Sequence, residues 1–174
     1  MARISTSRRS AAGIALIVAG ALFVLAALLP LVSVSFPWFV VLADAAMAVA
    51  LGLLGFGAVN NTVAKITLIA AAIGWAILAI GGLGIAFPSV LITIAALVAG
   101  IAGLVAAIVI YVGKEVTNTP ALIFIVAMAL GLIYLLGVAG TLPLGGVGVF
   151  VTLLFGAALI VTGVLFRRTE RGRR

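Results

Sequence analysis

The chain has 174 residues, of which 67% are hydrophobic and 7% charged, with a formal charge of +7 and neither cysteine nor histidine. Ordinary soluble domains are roughly 45–50% apolar and about 25% charged, so lipid has to be the solvent for most of this sequence. Disulfides are excluded, and so are haem, zinc and iron–sulfur centres that need Cys or His. No cofactor or metal is expected. Nucleic acid is not an expected partner either, because no polar domain is present to offer it a groove.

A spanning helix needs about 20 apolar residues at 1.5 Å per residue. Six runs meet this, at 11–29, 38–59, 65–86, 89–111, 121–140 and 147–166. None alternates polar and apolar residues as a membrane β-strand would, and helices close their backbone hydrogen bonds internally, as lipid demands. The expected fold is therefore all-α: a polytopic membrane protein with six transmembrane helices. It divides into a basic amino-terminal segment 1–10, a transmembrane domain 11–166 and a basic tail 167–174.

Arg3, Arg8 and Arg9 precede the first run, Lys65 and Lys114 lie between later runs, and Arg167, Arg168, Arg171, Arg173 and Arg174 follow the last. The alternate gaps near 33–35, 87–89 and 141–146 carry no charge. Basic residues collect on the cytoplasmic side, which predicts both termini inside and contact with anionic lipid headgroups there. Loops this short, without a glycosylation pattern on the outer side, fit a bacterial plasma (inner) membrane. The Ser7-Arg8-Arg9-Ser10 stretch resembles a twin-arginine signal, but the apolar run behind it is longer than a signal's usual 7–15 residues. The first helix is read as uncleaved.

Pro30, Pro88 and Pro143 each follow an odd-numbered run, roughly 55–58 residues apart. Proline cannot continue a helical ladder, so these positions mark outer helix ends. The layout fits three helical hairpins; the bilayer alone would impose the same regularity.

Asp44 is the lone acid within a run, six residues in from Trp38, or about 9 Å along the axis. Intramembrane acids are candidate functional residues by default. Asp44 is spaced at four-residue intervals from Ala48 and Gly52, a small-residue face suited to close helix contact. Two functions follow: a proton or cation site in a transport path, or a site for a cationic group at an outer vestibule. The alternative is structural, a carboxyl that reaches water or bonds a neighbouring helix, with Thr93, Thr152, Thr162 and Tyr134 as available polar partners. On the fourth run, Ala95, Ala99, Gly103 and Ala107 form a candidate helix-packing face, within the protomer or between protomers. Trp75, mid-run, is expected to pack inside the bundle. The Gly81-Gly82 and Gly145-Gly146 clusters lack the strand and helix context of a phosphate loop and read as turns and helix ends.

Enzymatic readings find no support. There is no histidine for a Ser–His pair and no Gly-x-Ser-x-Gly elbow, and an intramembrane aspartyl protease would need a second acid. The first-helix stretch Gly13-Ile14-Ala15-Leu16-Ile17-Val18-Ala19-Gly20, the apolar run to Pro30, the recurring outer proline and the acid of the second helix resemble the HdeD-type small membrane proteins. These are six-helix bacterial proteins associated with acid stress. Asp44 stands earlier in its helix than the family pattern, and the usual tryptophan and basic residue before the first helix are missing. The resemblance implies a stress-linked membrane protein without a defined molecular activity. The leading expectation is thus a non-enzymatic structural or stress-response component. The alternatives are a small proton- or cation-coupled transporter or channel subunit using Asp44, and an accessory subunit of a larger membrane complex. A homo-oligomer or a membrane-protein partner is compatible with each.

Overall fold

The computed structural model describes residues 6–32, 36 and 38–171. The uncharged stretch 33–35 and Arg3, Arg173 and Arg174 lie outside the described residues, as do the side chains of Arg8, Arg168 and Arg171. Six helices are long and apolar enough to cross a membrane: α1 (Thr6–Leu28), α2 (Trp38–Gly57), α3 (Thr62–Gly82), α4 (Ser89–Val112), α5 (Asn118–Val138) and α6 (Val147–Arg171). The protein is an all-α, multi-pass membrane bundle.

The helix ends differ from the hydropathy limits where polar residues, rather than apolar ones, set the boundary. α1 starts at Thr6, inside the segment expected to precede it, and runs into a 3-10 turn over Leu29–Val32 that contains Pro30. α3 starts at Thr62 rather than 65 because Asn61 caps it, its Oδ1 accepting from the Val63 and Ala64 amides at 2.9 and 3.2 Å. α5 starts at Asn118 and takes Pro120 into its first turn, where a missing N–H is harmless. α6 continues to Arg171, so the basic tail begins as helix. Replacing Asn61 with alanine removes an N-cap and is expected to cost about 1 kcal/mol, readable as a lower thermal midpoint in detergent, with Asn61→Asp restoring it.

The helices are arranged as a ring in chain order. Each packs against its sequence neighbours, α6 closes back onto α1, and no Cα of a described helix comes within 8 Å of a helix that is not its ring neighbour. The closing seam is made by glycines. Gly13 lies against Gly163 and Gly20 against Gly156, each so close that a Cβ on either would strike the other's carbonyl oxygen. Both pairs are seven residues apart on their helices, the heptad spacing that keeps one face on a partner. Without side chains there, the two backbones can approach directly.

Because opposite helices stand apart, the ring has an interior that side chains must fill. Phe23, Trp75, Phe124, Phe155, Leu16, Met47, Leu51 and Leu68 are among its largest fully buried occupants. Ala95, Ala99, Gly103 and Ala107 are also buried. A Cβ on Gly74 of α3 would meet Ala95 O and Ala99, and one on Gly103 would meet Met128 of α5. The small-residue face of α4 is therefore occupied within the protomer, by α3 on one side and α5 on the other.

At one end of the ring the turns are tied together by polar groups. Arg9 of α1 donates from Nε to Ala58 O (3.0 Å) and from a terminal nitrogen to Glu115 O (3.2 Å). The Glu115 carboxylate accepts from the Asn60 and Asn61 amides at 3.2 and 3.0 Å. These contacts follow from helix ends: the last carbonyls of α2 need donors and the first amides of α3 need acceptors. A cation at the former and an anion at the latter also match the two helix dipoles. Arg167 packs beside Gly13 at this same end. Apart from Asp44, the charged side chains described all belong to this charged end.

Candidate functional site

Asp44 is buried, 7% exposed, and its Oδ1 has no hydrogen-bond partner. Its surroundings differ from the expected small-residue face. Four-residue steps drift around a helix by about 40° each, since four residues turn through more than one 3.6-residue period. By Gly52 the row has left the interior: that glycine has nothing within 4 Å of where a Cβ would be. The row that stays inside alternates steps of three and four, through Asp44, Met47, Leu51 and Leu54, all buried. The row continues outward to Val41, also buried, so the carboxyl is the polar member of a row that is otherwise apolar.

At the same depth the ring interior is aromatic. Phe23 lies five residues before the end of α1, Trp75 seven before the end of α3, Tyr134 four before the end of α5 and Phe155 eight after the start of α6. At the helical rise all four sit about 6–12 Å from the uncharged end, level with Asp44. They contact one another: Phe23 meets Phe155 at 5.0 Å, Tyr134 at 5.4 Å and Trp75 at 5.9 Å between centroids. Trp75 and Tyr134 lie nearly parallel, 6.3 Å apart at 9°. Edge-on and offset contacts of this kind are the favoured aromatic geometries. Trp75 is accordingly a packing residue inside the bundle.

Of the polar side chains available to Asp44, Tyr134 is near enough to feel its charge. Thr152 and Thr162 donate their hydroxyls to their own helix, to Gly148 O and Ala158 O, each at 2.8 Å. Thr93 makes no hydrogen bond to Asp44 Oδ1. What the site holds is a carboxyl with a free oxygen, at the depth of the aromatic cluster and without a counter-charge among the described residues. Among the described residues no cluster of metal-ligating side chains occurs. The arrangement can bind and release a proton, or meet a cation, and it has no nucleophile–base pair beside it.

The charged-end network was not foreseen. Arg9 and Glu115 each have an ordinary topological meaning in the sequence, and they are 106 residues apart. The signal that was present is the Asn61 capping position, which places the amides that Glu115 binds.

No family model, curated protein or solved structure matches this chain.

Proposed function

We propose that this is a non-enzymatic plasma-membrane protein of a bacterium, with both termini cytoplasmic, acting as a small proton- or cation-coupled carrier through Asp44. The observation that carries the reading is the unpartnered, buried Oδ1 of Asp44. Buried polar groups are almost always bonded, and a carboxyl retained for structure would have found a donor. An ionised carboxylate without a partner is costly in this interior, whereas the neutral acid is tolerated. Gain and loss of one proton therefore distinguishes two states of the ring. The positive-inside distribution supports the orientation, and the resemblance to HdeD-type proteins supports a role in stress at low pH.

Reconstituted vesicles holding an imposed pH gradient test this. The wild-type protein should collapse the gradient faster than protein-free vesicles do, and Asp44→Asn should return the rate to theirs. Flux that survives in Asp44→Asn would end the coupled reading.

A second reading, a structural component, is favoured by the filled ring interior and the glycine-tight α1–α6 seam. An accessory role through Ala95, Ala99, Gly103 and Ala107 would need a face that lies inside the protomer; partners would have to meet the lipid-facing surface.

A further inference from the structure

α2 and α5 stand opposite one another in a ring whose helices follow chain order. They run in opposite directions, α2 beginning and α5 ending at the uncharged end. Helical side chains lean toward the start of their own helix. Asp44, about 9 Å in along α2, therefore leans toward the uncharged end, and Tyr134, about 6 Å in along α5, leans toward the middle of the bundle. The two side chains converge in depth, and Tyr134 is near enough to feel the charge of Asp44. α1 and α3, which flank α2, bring no titratable side chain to this level, since Arg8, Arg9 and Lys65 stand at the charged end. The ionisable residues of α4 and α6 also lie at that end. Among the described residues, the titratable group that faces Asp44 is the Tyr134 phenol.

No hydrogen bond joins Tyr134 to Asp44 Oδ1, and the Tyr134 hydroxyl takes part in no hydrogen bond among the described residues. A neutral carboxyl tolerates such isolation far better than an ionised one. Once ionised, the carboxyl only accepts, and with no cation at this depth a phenol O–H is the donor that can answer it. The tyrosine is also the ring with freedom to respond. Phe23, Trp75 and Phe155 are buried, whereas Tyr134 keeps part of its surface exposed. It touches all three, at 5.4 Å to Phe23, 6.3 Å to Trp75 and 6.0 Å to Phe155 between centroids. Those rings stand on α1, α3 and α6.

We propose that Tyr134 is the positioning residue for Asp44: when the carboxyl loses its proton, the phenol turns to donate to it and moves against the aromatic cluster. The proton leaves Asp44, while the tyrosine keeps its own and only redirects it. Ionisation on α2 is thereby passed through one ring of α5 to α1, α3 and α6. This rests on the reading of Asp44 as a group that gains and loses a proton, but its readout is spectroscopic and does not depend on transport.

The test uses the full-length protein in vesicles with Trp38→Phe, which leaves Trp75 as the one tryptophan. Trp75 lies nearly parallel to Tyr134, at 9°, so a turn of the phenol changes what its indole touches. Trp75 emission should step as pH is taken through the ionisation of Asp44. The infrared carbonyl band that Asp44→Asn removes follows that ionisation in parallel, and Asp44→Asn should abolish the emission step as well. In Tyr134→Phe the infrared band should still titrate while the emission step is lost. A second variant keeps the phenol and serves if Tyr134→Phe does not fold. With Tyr111→Phe, Tyr134 is the one tyrosine, and its infrared C–O band should report a hydroxyl that becomes a donor over the same pH interval.

An emission step of undiminished size in Tyr134→Phe overturns the proposal, because the charge then acts on Trp75 directly. A Tyr134 C–O band that ignores pH does the same, as does an Asp44 band that never titrates. If the spectroscopic changes appear and the vesicles carry no Asp44-dependent flux, the carrier reading fails and the role of Tyr134 stands.

Discussion

Gly20→Leu is expected to destabilise the bundle strongly, because its Cβ would meet main chain across the α1–α6 seam. A Cβ at residue 20 would lie 2.5 Å from Gly156 O and 3.0 Å from Ile160 N, and one at 156 would lie 2.7 Å from Gly20 O and 3.1 Å from Val24 N. These are backbone atoms of rigid helices, so no side chain can swing away. Overpacking ordinarily costs about 1–3 kcal/mol and occasionally more; contact against main chain belongs at the upper end. For a chain of this size, roughly 3 kcal/mol corresponds to a midpoint lower by roughly 6–12 °C. Gly52→Ala is the matched control, since nothing lies within 4 Å of that position and alanine stabilises a helix interior by roughly 0.5–1 kcal/mol over glycine. Thermal unfolding in detergent reads both. An unchanged midpoint in Gly20→Leu would mean that α1 and α6 do not meet as described.

Asp44→Val is expected to do the opposite to stability and, on the proposed carrier reading, to abolish flux. Valine is among the nearest apolar matches in size, and it removes an oxygen that is buried and unbonded. Leaving such a group unsatisfied costs about 1–3 kcal/mol, so the variant should unfold at a temperature higher by roughly 2–12 °C. A destabilised Asp44→Val would show that the carboxyl has a partner and works as a structural tie, which favours the scaffold reading. The gradient-collapse rate of the same variant separates the two cases.

The six helices and the inward aim of Asp44 were legible because the bilayer enforces length and apolarity, and because an acid there cannot face lipid. The face that Asp44 shares was not. A row at intervals of four looked like a stripe, yet Met47 and Leu51, not Ala48 and Gly52, line up beneath the carboxyl. In a soluble helix polar residues would mark the outer side and settle the matter; here both sides are apolar. Exposed residues such as Val49 and Phe56 look no different in sequence from those that line the interior. The α1–α6 seam was hidden for a related reason. Gly13 and Gly20 are spaced as a packing face, but nothing in α1 names Gly156 and Gly163 as the surfaces they meet. The charged-end bonds were hidden by sequence distance, since Arg9 and Glu115 each suffice as topological markers alone.

The order of the ring bears on how the protein is made. Five of its six seams join helices adjacent in sequence, and each can form as soon as its second helix enters the membrane. The remaining seam joins the first helix to the last. Until α6 arrives, α1 presents Gly13 and Gly20 to lipid, a notched surface with no tenant, and the growing assembly is an open arc. Insertion of the final helix is then the event that converts the arc to a ring and confines the interior. A nascent chain stalled short of Gly156 is an arc with an exposed notch.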